Sequence, residues 1–315
     1  MRALLALLTL SFTVGLAAEE VTLTTSTGTL YGTLLMPSSS GRVPVVLIIA
    51  GSGAVDRNGN FDSGENNSLR MLAEALAAQG IASLRYDKRG VAASAAALTA
   101  DRTIDLEISD VVGWLQQLQR DPRFSLLIVA GHSEGSLIGI VAAQRTAVDR
   151  LISLEGAGRR AGDVYLSQLQ ARLTAPLMDA ARQIVASLNA GIPVPNPQVP
   201  FVLRSLFDES LQPYLISWFR YDPAVEIGRL LVPVLIVQGT TDIQVSVDDA
   251  MLLLDAKRSA ALRIIDGMNH VLKDVPPDFD TQIASYNNPT LPIDKLLVMA
   301  VSDFINPPIR RRVVR

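Results

Sequence analysis

The 315-residue chain contains no cysteine and only two histidines, His132 and His270. The absence of cysteine excludes disulfide bonds, thiolate catalysis and cysteine metal sites. Two histidines cannot supply the common three-histidine zinc site, so no metal site is expected. Any histidine that acts as a base must be one of these two.

The chain also has no excess of basic residues. It contains 28 Lys and Arg residues and 31 Asp and Glu residues, which gives a net charge of -3. Nucleic-acid binding usually requires a basic face, so no nucleic-acid partner is expected. The one basic cluster lies at the extreme C-terminus, at Arg310, Arg311, Arg312 and Arg315. We interpret residues 307–315 as a solvated basic tail.

The N-terminus carries the pattern of an export signal. Met1-Arg2 is followed by a mainly apolar run to Leu16, and small residues at Gly15 and Ala17 predict cleavage after Ala17 or Ala18. The run is shorter than the roughly 20 residues of a bilayer span, although an uncleaved anchor or a buried first helix is the alternative. Residues 1–18 are thus a predicted signal peptide, with a periplasmic or secreted location and no stable membrane anchor after cleavage.

Short β-rich runs alternate with helical stretches along most of the chain. Val43–Ala50 is a continuous apolar run, typical of a strand buried on both faces, and Leu69–Gln79 has helical spacing and stops at Gly80. The alternation predicts an α/β fold with a mostly parallel central sheet and helices on both faces. We assign residues 19–158 and 227–306 to this core.

The alternation stops between about Arg159 and Glu226. The segment is helical in character and is interrupted by a proline cluster at 191–200, which cannot continue a helix. We interpret residues 159–226 as a helical cap inserted into the core.

Gly131-His132-Ser133-Glu134-Gly135 matches the nucleophile-elbow pattern G-x-S-x-G. In such an elbow the serine sits on a strained turn from a strand into a helix, which exposes its hydroxyl. Here the pattern follows the apolar run Leu-Leu-Ile-Val-Ala and precedes a helix-forming stretch, as the elbow requires. Ser133 is therefore the predicted nucleophile.

A serine hydroxyl needs a base, and the base needs a carboxylate that orients it. His132 adjoins the serine along the turn and points elsewhere, which leaves His270 as the base. Asp242 follows the strand-like run Val232–Gln238 and is the predicted acid, because ligands meet at the carboxyl ends of parallel strands. Asp248 and Asp249, expected to be solvated at a helix start, and Asp266, expected in a turn, are the rivals.

The oxyanion hole requires two backbone N–H donors. Glu134, next after the nucleophile, is the first predicted donor. Ser52, in the loop after the predicted third strand, is the second, with Gly53 as the alternative. Arg57, in the polar turn that follows, either steadies the loop or reaches substrate, and the structural role is favoured.

The chain resembles the α/β-hydrolase superfamily and, more narrowly, bacterial EstD-like carboxylesterases related to the serine aminopeptidases. The segments that carry the resemblance are AGSGAVDRNGN at 50–60, LRYDKRG at 84–90, GHSEGS at 131–136, WFRYDP at 218–223, PVLIVQGTTDIQV at 233–245 and GMNH at 267–270. The resemblance implies hydrolysis of small-molecule carboxylic esters with short acyl chains, without metal or cofactor. One departure is Ala50, where relatives often carry histidine.

Two clusters inside these segments have no assigned catalytic role. Arg85, Asp87 and Arg89 are expected to tie loops together by ion pairs. The aromatic side chains of Trp218, Phe219 and Tyr221 either line the acyl pocket or pack the cap on the core, and packing is favoured for at least two of them.

Two other functions stay open at this point. A peptidase or amidase uses the same triad as an esterase, so the triad does not discriminate between them. A non-catalytic binding protein that kept the fold is a third possibility, against which an intact triad argues.

Overall fold

A computed structural model describes residues 17–99, 102–170 and 172–307. Most of the predicted signal peptide (residues 1–16) and of the predicted basic tail (residues 308–315) lies outside the described residues. Both assignments therefore stay predictions.

The described residues form one eight-stranded sheet, in the order β1-β2-β4-β3-β5-β6-β7-β8. The strands are β1 (Ala17–Thr25), β2 (Gly28–Met36), β3 (Val43–Ile49), β4 (Ala82–Tyr86), β5 (Phe124–His132), β6 (Arg150–Leu154), β7 (Val234–Gly239) and β8 (Ala261–Ile265). Only β1 and β2 run antiparallel to their neighbours, whereas β3 to β8 are all parallel. The predicted fold class is confirmed.

Helices cover both faces of the sheet. The helices of the core are α1 (Ser68–Ala78), α2 (Ile104–Gln119), α3 (Glu134–Arg145), α8 (Pro223–Gly228), α9 (Val247–Ala256), α10 (Phe279–Ser285) and α11 (Lys295–Ile305). In β5, Leu127 and Val129 pack towards α2 and α3, whereas Ile128 and Ala130 pack towards α1 and α11. Burial on both faces explains why the central strands are continuous apolar runs.

A helical insertion separates β6 from α8. It contains α4 (Ala161–Gln170), α5 (Ala175–Asn189), α6 (Arg204–Phe207) and α7 (Gln212–Phe219), with short 3-10 turns at Asn196–Gln198 and Phe201–Leu203 in and after the proline cluster. The rings of Tyr165, Phe207, Trp218 and Phe219 pack together inside it. The predicted boundary at residue 226 falls within α8, which packs on α3 and α9 and so belongs to the core.

Within the described part of the chain, no helix combines the length and the apolar character that a membrane span requires.

Candidate active site

The turn between β5 and α3 has the backbone of a nucleophile elbow. Ser133 adopts φ 54° and ψ -122°, a conformation that L-residues rarely occupy and that costs on the order of 1–3 kcal/mol. The turn is possible because Gly131 and Gly135 lack side chains, since a Cβ at Gly131 would collide with the carbonyl of Gly135 and a Cβ at Gly135 with that of Ile49. The glycines of the motif are therefore a steric requirement.

The structure brings the three predicted triad residues to the carboxyl edge of the sheet. His270 lies in the loop after β8, and its Nδ1 is 2.7 Å from Oδ2 of Asp242, which follows β7. Ser133 and His270 line one cavity, and no hydrogen bond joins Ser133 Oγ to the imidazole. Such hydrogen bonds are often long without substrate and tighten when it binds. The catalytic roles of the three residues stay predictions.

The Asp242 carboxylate is held in place by the backbone. Its Oδ1 accepts hydrogen bonds from the N–H groups of Gln244 and Val245, at 2.7 and 3.0 Å. Burial favours the neutral acid, but the nearby His270 and these hydrogen bonds outweigh burial and lower the pKa of Asp242 below its usual value. The carboxylate is therefore ionised and oriented towards the imidazole.

The rival carboxylates lie elsewhere. Asp249 is fully buried, where it binds the guanidinium of Arg159 and caps α9, so the expectation that it is solvated was wrong. Asp248 sits beside it in the first turn of α9. Asp266 is exposed and accepts a hydrogen bond from Thr240 in a turn, as predicted.

His132 supports the site without occupying it. Its Nε2 donates to the backbone carbonyl of His270 at 2.7 Å. Burial, together with the nearby ring of His270, lowers the pKa of His132 to about 3, so the ring is neutral at physiological pH. A neutral His132 fixes the loop that carries His270 without adding charge next to the predicted base.

Both predicted oxyanion donors are placed beside Ser133. Ser52, in the loop after β3, and Glu134, the first residue of α3, line the same cavity as the nucleophile. Glu134 N–H belongs to the first turn of α3, where backbone donors lack intrahelical acceptors. Neither amide donates to any other group among the described residues, so both are available to a developing oxyanion.

A second carboxyl group lies behind the triad acid and was missed in the sequence. Glu155 directly follows β6, is fully buried, and accepts hydrogen bonds from the N–H of Gly239. Burial first and the charge of Asp242 second raise the pKa of Glu155 well above its usual value, which favours its neutral acid form. Its place immediately after a strand was the only signal in the sequence, and no motif marks it.

Glu155→Gln is expected to become more stable relative to the wild type as the pH rises. A raised pKa means that the folded state holds a proton that the unfolded state releases above about pH 4.5, so the wild-type free energy of unfolding falls with rising pH. Glutamine has no proton to lose and keeps both a donor and an acceptor. Urea unfolding of both proteins at pH 5 and pH 8 measures the difference, and a difference that is the same at both pH values would show that Glu155 is ionised.

Two spaces open beside Ser52 and Glu134, and Ser133 lines the smaller of them. One is a cavity of about 240 Å³ whose wall is mostly apolar, with Leu137, Val164 and Trp218 among its lining residues. The other is a wider groove of about 920 Å³ between the loop that carries Ser52 and helix α7. Of the three aromatic residues singled out in the sequence, Trp218 lines both spaces, Phe219 packs in the core and Tyr221 hydrogen-bonds to Asp105.

Two of the three charged residues Arg85, Asp87 and Arg89 form ion pairs with residues outside the cluster. Asp87 binds Arg57 at 2.9 Å rather than Arg85 or Arg89. Arg89 is buried and forms a bidentate pair with Asp110, at 2.5 and 2.6 Å. Arg85 has no carboxylate partner among the described residues, and burial lowers its pKa to about 10.

Comparison of the sequence with known proteins finds similar proteins. The family model described as serine aminopeptidase, S33, matches residues 65–199, which include the elbow. Esterase EstD of Thermotoga maritima is 26% identical over 251 residues, which cover 77% of this chain and 58% of EstD. The chain thus spans less than two thirds of that relative's length.

Solved structures share the fold at low identity. Est1E from Butyrivibrio proteoclasticus superposes with a TM-score of 0.57 at 17% identity, over 90% of this chain and 96% of that one. The esterase Pf2001 of Pyrococcus furiosus gives a TM-score of 0.57 at 15% identity, over 92% and 91% of the two chains. The chain has the α/β-hydrolase fold. Within this fold it is similar to EstD, which confirms the resemblance drawn from the sequence motifs.

Proposed function

We propose that this α/β-hydrolase is a carboxylesterase-type serine hydrolase that works through an acyl-enzyme on Ser133. The observation that carries the proposal is the 2.7 Å contact between His270 Nδ1 and an ionised, fully hydrogen-bonded Asp242, beside a cavity that contains Ser133. The similarity to a protein named as an esterase supports the ester as substrate.

The mechanism follows from the positions of these groups. The Asp242 carboxylate holds His270 with Nδ1 protonated, so that Nε2 is free to take the proton from Ser133 as the hydroxyl attacks the ester carbonyl. The N–H groups of Ser52 and Glu134 would bind the oxyanion. His270 then protonates the departing alcohol, and a water molecule activated by His270 releases the acid from Ser133.

We further propose that the acyl group enters the apolar cavity and that short acyl chains are preferred. A cavity of about 240 Å³ is below the usual 300–1,000 Å³ of pockets for drug-sized ligands. The wider groove beside α7 is then left for the alcohol part of the ester, which is less restricted in size.

A peptidase or amidase is the second candidate, because the family model that matches the elbow region is described as a serine aminopeptidase. Peptide aminopeptidases must hold the free amino group of the substrate, which calls for an unpaired carboxylate in the pocket. Among the described residues, Glu134 is the one acidic residue that lines these cavities, and its carboxylate is engaged by Lys88 and Tyr214. This arrangement favours the esterase.

A parallel assay of the purified protein on p-nitrophenyl esters and on aminoacyl p-nitroanilides tests the proposal. We expect kcat/KM for p-nitrophenyl acetate and butyrate to exceed that for alanyl or leucyl p-nitroanilide by at least about 100-fold, equivalent to about 3 kcal/mol in transition-state free energy. Activity should fall from butyrate to laurate esters. Faster cleavage of the anilides would establish the peptidase instead.

A further inference from the structure

A lysine of the LRYDKRG segment contacts both sides of the predicted oxyanion hole. Lys88 lies two residues after β4 and is fully buried. Its Nζ donates to the carbonyl oxygen of Gly51 at 2.5 Å and lies 3.4 Å from Oε2 of Glu134. Burying such an ion pair stabilises a protein little compared with apolar side chains of the same size, so fold stability alone does not account for a lysine here.

The bond to Gly51 determines the direction of a neighbouring N–H group. The carbonyl of Gly51 and the N–H of Ser52 belong to one peptide unit, which is planar and trans, so the two groups point in opposite directions. Lys88 holds the carbonyl towards the protein interior. The Ser52 N–H is thereby directed to the other side of the loop, where Ser52 and Ser133 line a common cavity.

The same ammonium group reaches the residue that supplies the other donor. Glu134 offers its N–H to the oxyanion, and its carboxylate is shared between Lys88 and the hydroxyl of Tyr214, which lies 2.6 Å from Oε1. Lys88 therefore links the loop after β3 to the first turn of α3 and fixes the spacing of the two donors. A cationic donor on the Gly51 carbonyl also polarises the peptide and strengthens its N–H as a donor.

We propose that Lys88 is a positioning residue of the oxyanion hole, which orients the Ser52 amide through the Gly51 carbonyl and holds it at a fixed distance from the Glu134 amide. The proposal rests on the proposed function in one respect, that Ser133 is the attacking nucleophile. It does not depend on whether the acyl group comes from an ester or an amide.

The rate at which a fluorophosphonate labels Ser133 tests this role, because the phosphoryl oxygen occupies the oxyanion hole in the reaction. Lys88→Met keeps the length of the side chain and removes the donor. We expect labelling to slow by about 10- to 100-fold, less than the 10²- to 10³-fold that follows complete removal of a donor. On p-nitrophenyl butyrate, kcat should fall by a similar factor while KM changes less than about threefold, a division that a purely structural role would not produce.

Lys257→Met is the matched control. Lys257 Nζ also donates to a backbone carbonyl, that of Leu230 at 2.6 Å, but at the end of α9 and away from the cavities around Ser133. We expect its labelling rate to equal that of the wild type. If Lys88→Met does not fold, a double variant with Lys88→Met and Glu134→Gln replaces it. The double variant removes both buried charges and keeps the backbone N–H of residue 134. We expect it to be labelled as slowly as Lys88→Met.

Each outcome decides between the proposals. A folded Lys88 variant that is labelled at the wild-type rate overturns the role of Lys88 and leaves the proposed function intact. Wild-type protein that is labelled but does not hydrolyse esters overturns the esterase and leaves the role of Lys88 testable by the labelling rate. Absence of labelling in the wild type overturns both.

Discussion

Replacing Ser133 by alanine is expected to lower kcat for p-nitrophenyl butyrate by at least about 10⁴-fold. The hydroxyl is the group that forms the acyl-enzyme in the proposed mechanism, and no cysteine in the chain is available to replace it. Alanine tolerates the φ of 54° no worse than serine does, so the elbow should keep its shape. Initial rates with purified variant and wild type measure the loss.

Ser136→Ala is the matched control for this substitution. Ser136 lies one turn further along α3, is more deeply buried than Ser133, and its hydroxyl donates to Ser153 at 2.7 Å. Its loss should cost about 1 kcal/mol of stability and leave kcat within a few-fold of the wild type. Ser133→Ala protein that retains more than a tenth of the wild-type rate would exclude Ser133 as the nucleophile.

Asp242→Asn is expected to lower kcat by about 10⁴-fold, with little change in fold. The carboxylate accepts from His270 Nδ1 at 2.7 Å and keeps Nε2 free to act as the base. An asparagine amide oriented with its NH₂ group towards the ring stabilises the opposite tautomer, in which Nε2 carries the proton and cannot accept another. The measurement is kcat on p-nitrophenyl butyrate between pH 6 and pH 9.

Asp266→Asn provides the comparison for the acid. Asp266 is exposed in the turn after β8, close to His270 in the chain but bonded to Thr240. Its amide variant should retain kcat within about twofold. If Asp266→Asn inactivates the protein and Asp242→Asn does not, the acid of the triad is Asp266, which follows β8, and not Asp242, which follows β7.

Local patterns in the sequence were sufficient for much of this architecture. The strand β3 and the helix α1 lie within one residue of the predicted runs Val43–Ala50 and Leu69–Gln79, because each run is followed directly by a glycine. The elbow was predictable for the same reason, since the glycines that it requires lie within five consecutive positions.

Contacts between distant segments were harder to predict. The sequence pattern predicted Asp249 as a solvated residue at a helix start. In the structure it is buried in an ion pair with Arg159, which lies 90 residues away in the chain. Glu155 lies in no motif, and the LRYDKRG segment does not indicate a role for Lys88. The contacts of these two residues depend on Gly51, Glu134 and Asp242, which the fold brings to them. Pairing of this kind is set by the packing of the sheet and is not encoded at a fixed spacing in the chain.

Mass spectrometry of the protein after reaction with a fluorophosphonate tests the central claim most directly. Trypsin releases the peptide from Phe124 to Arg145, which contains the serines at 125, 133 and 136. The account predicts one phosphonate per chain, located by fragmentation on Ser133, and none on the His270→Ala variant over the same time. An adduct on either of the other serines, or equally rapid labelling without the imidazole of His270, would contradict it.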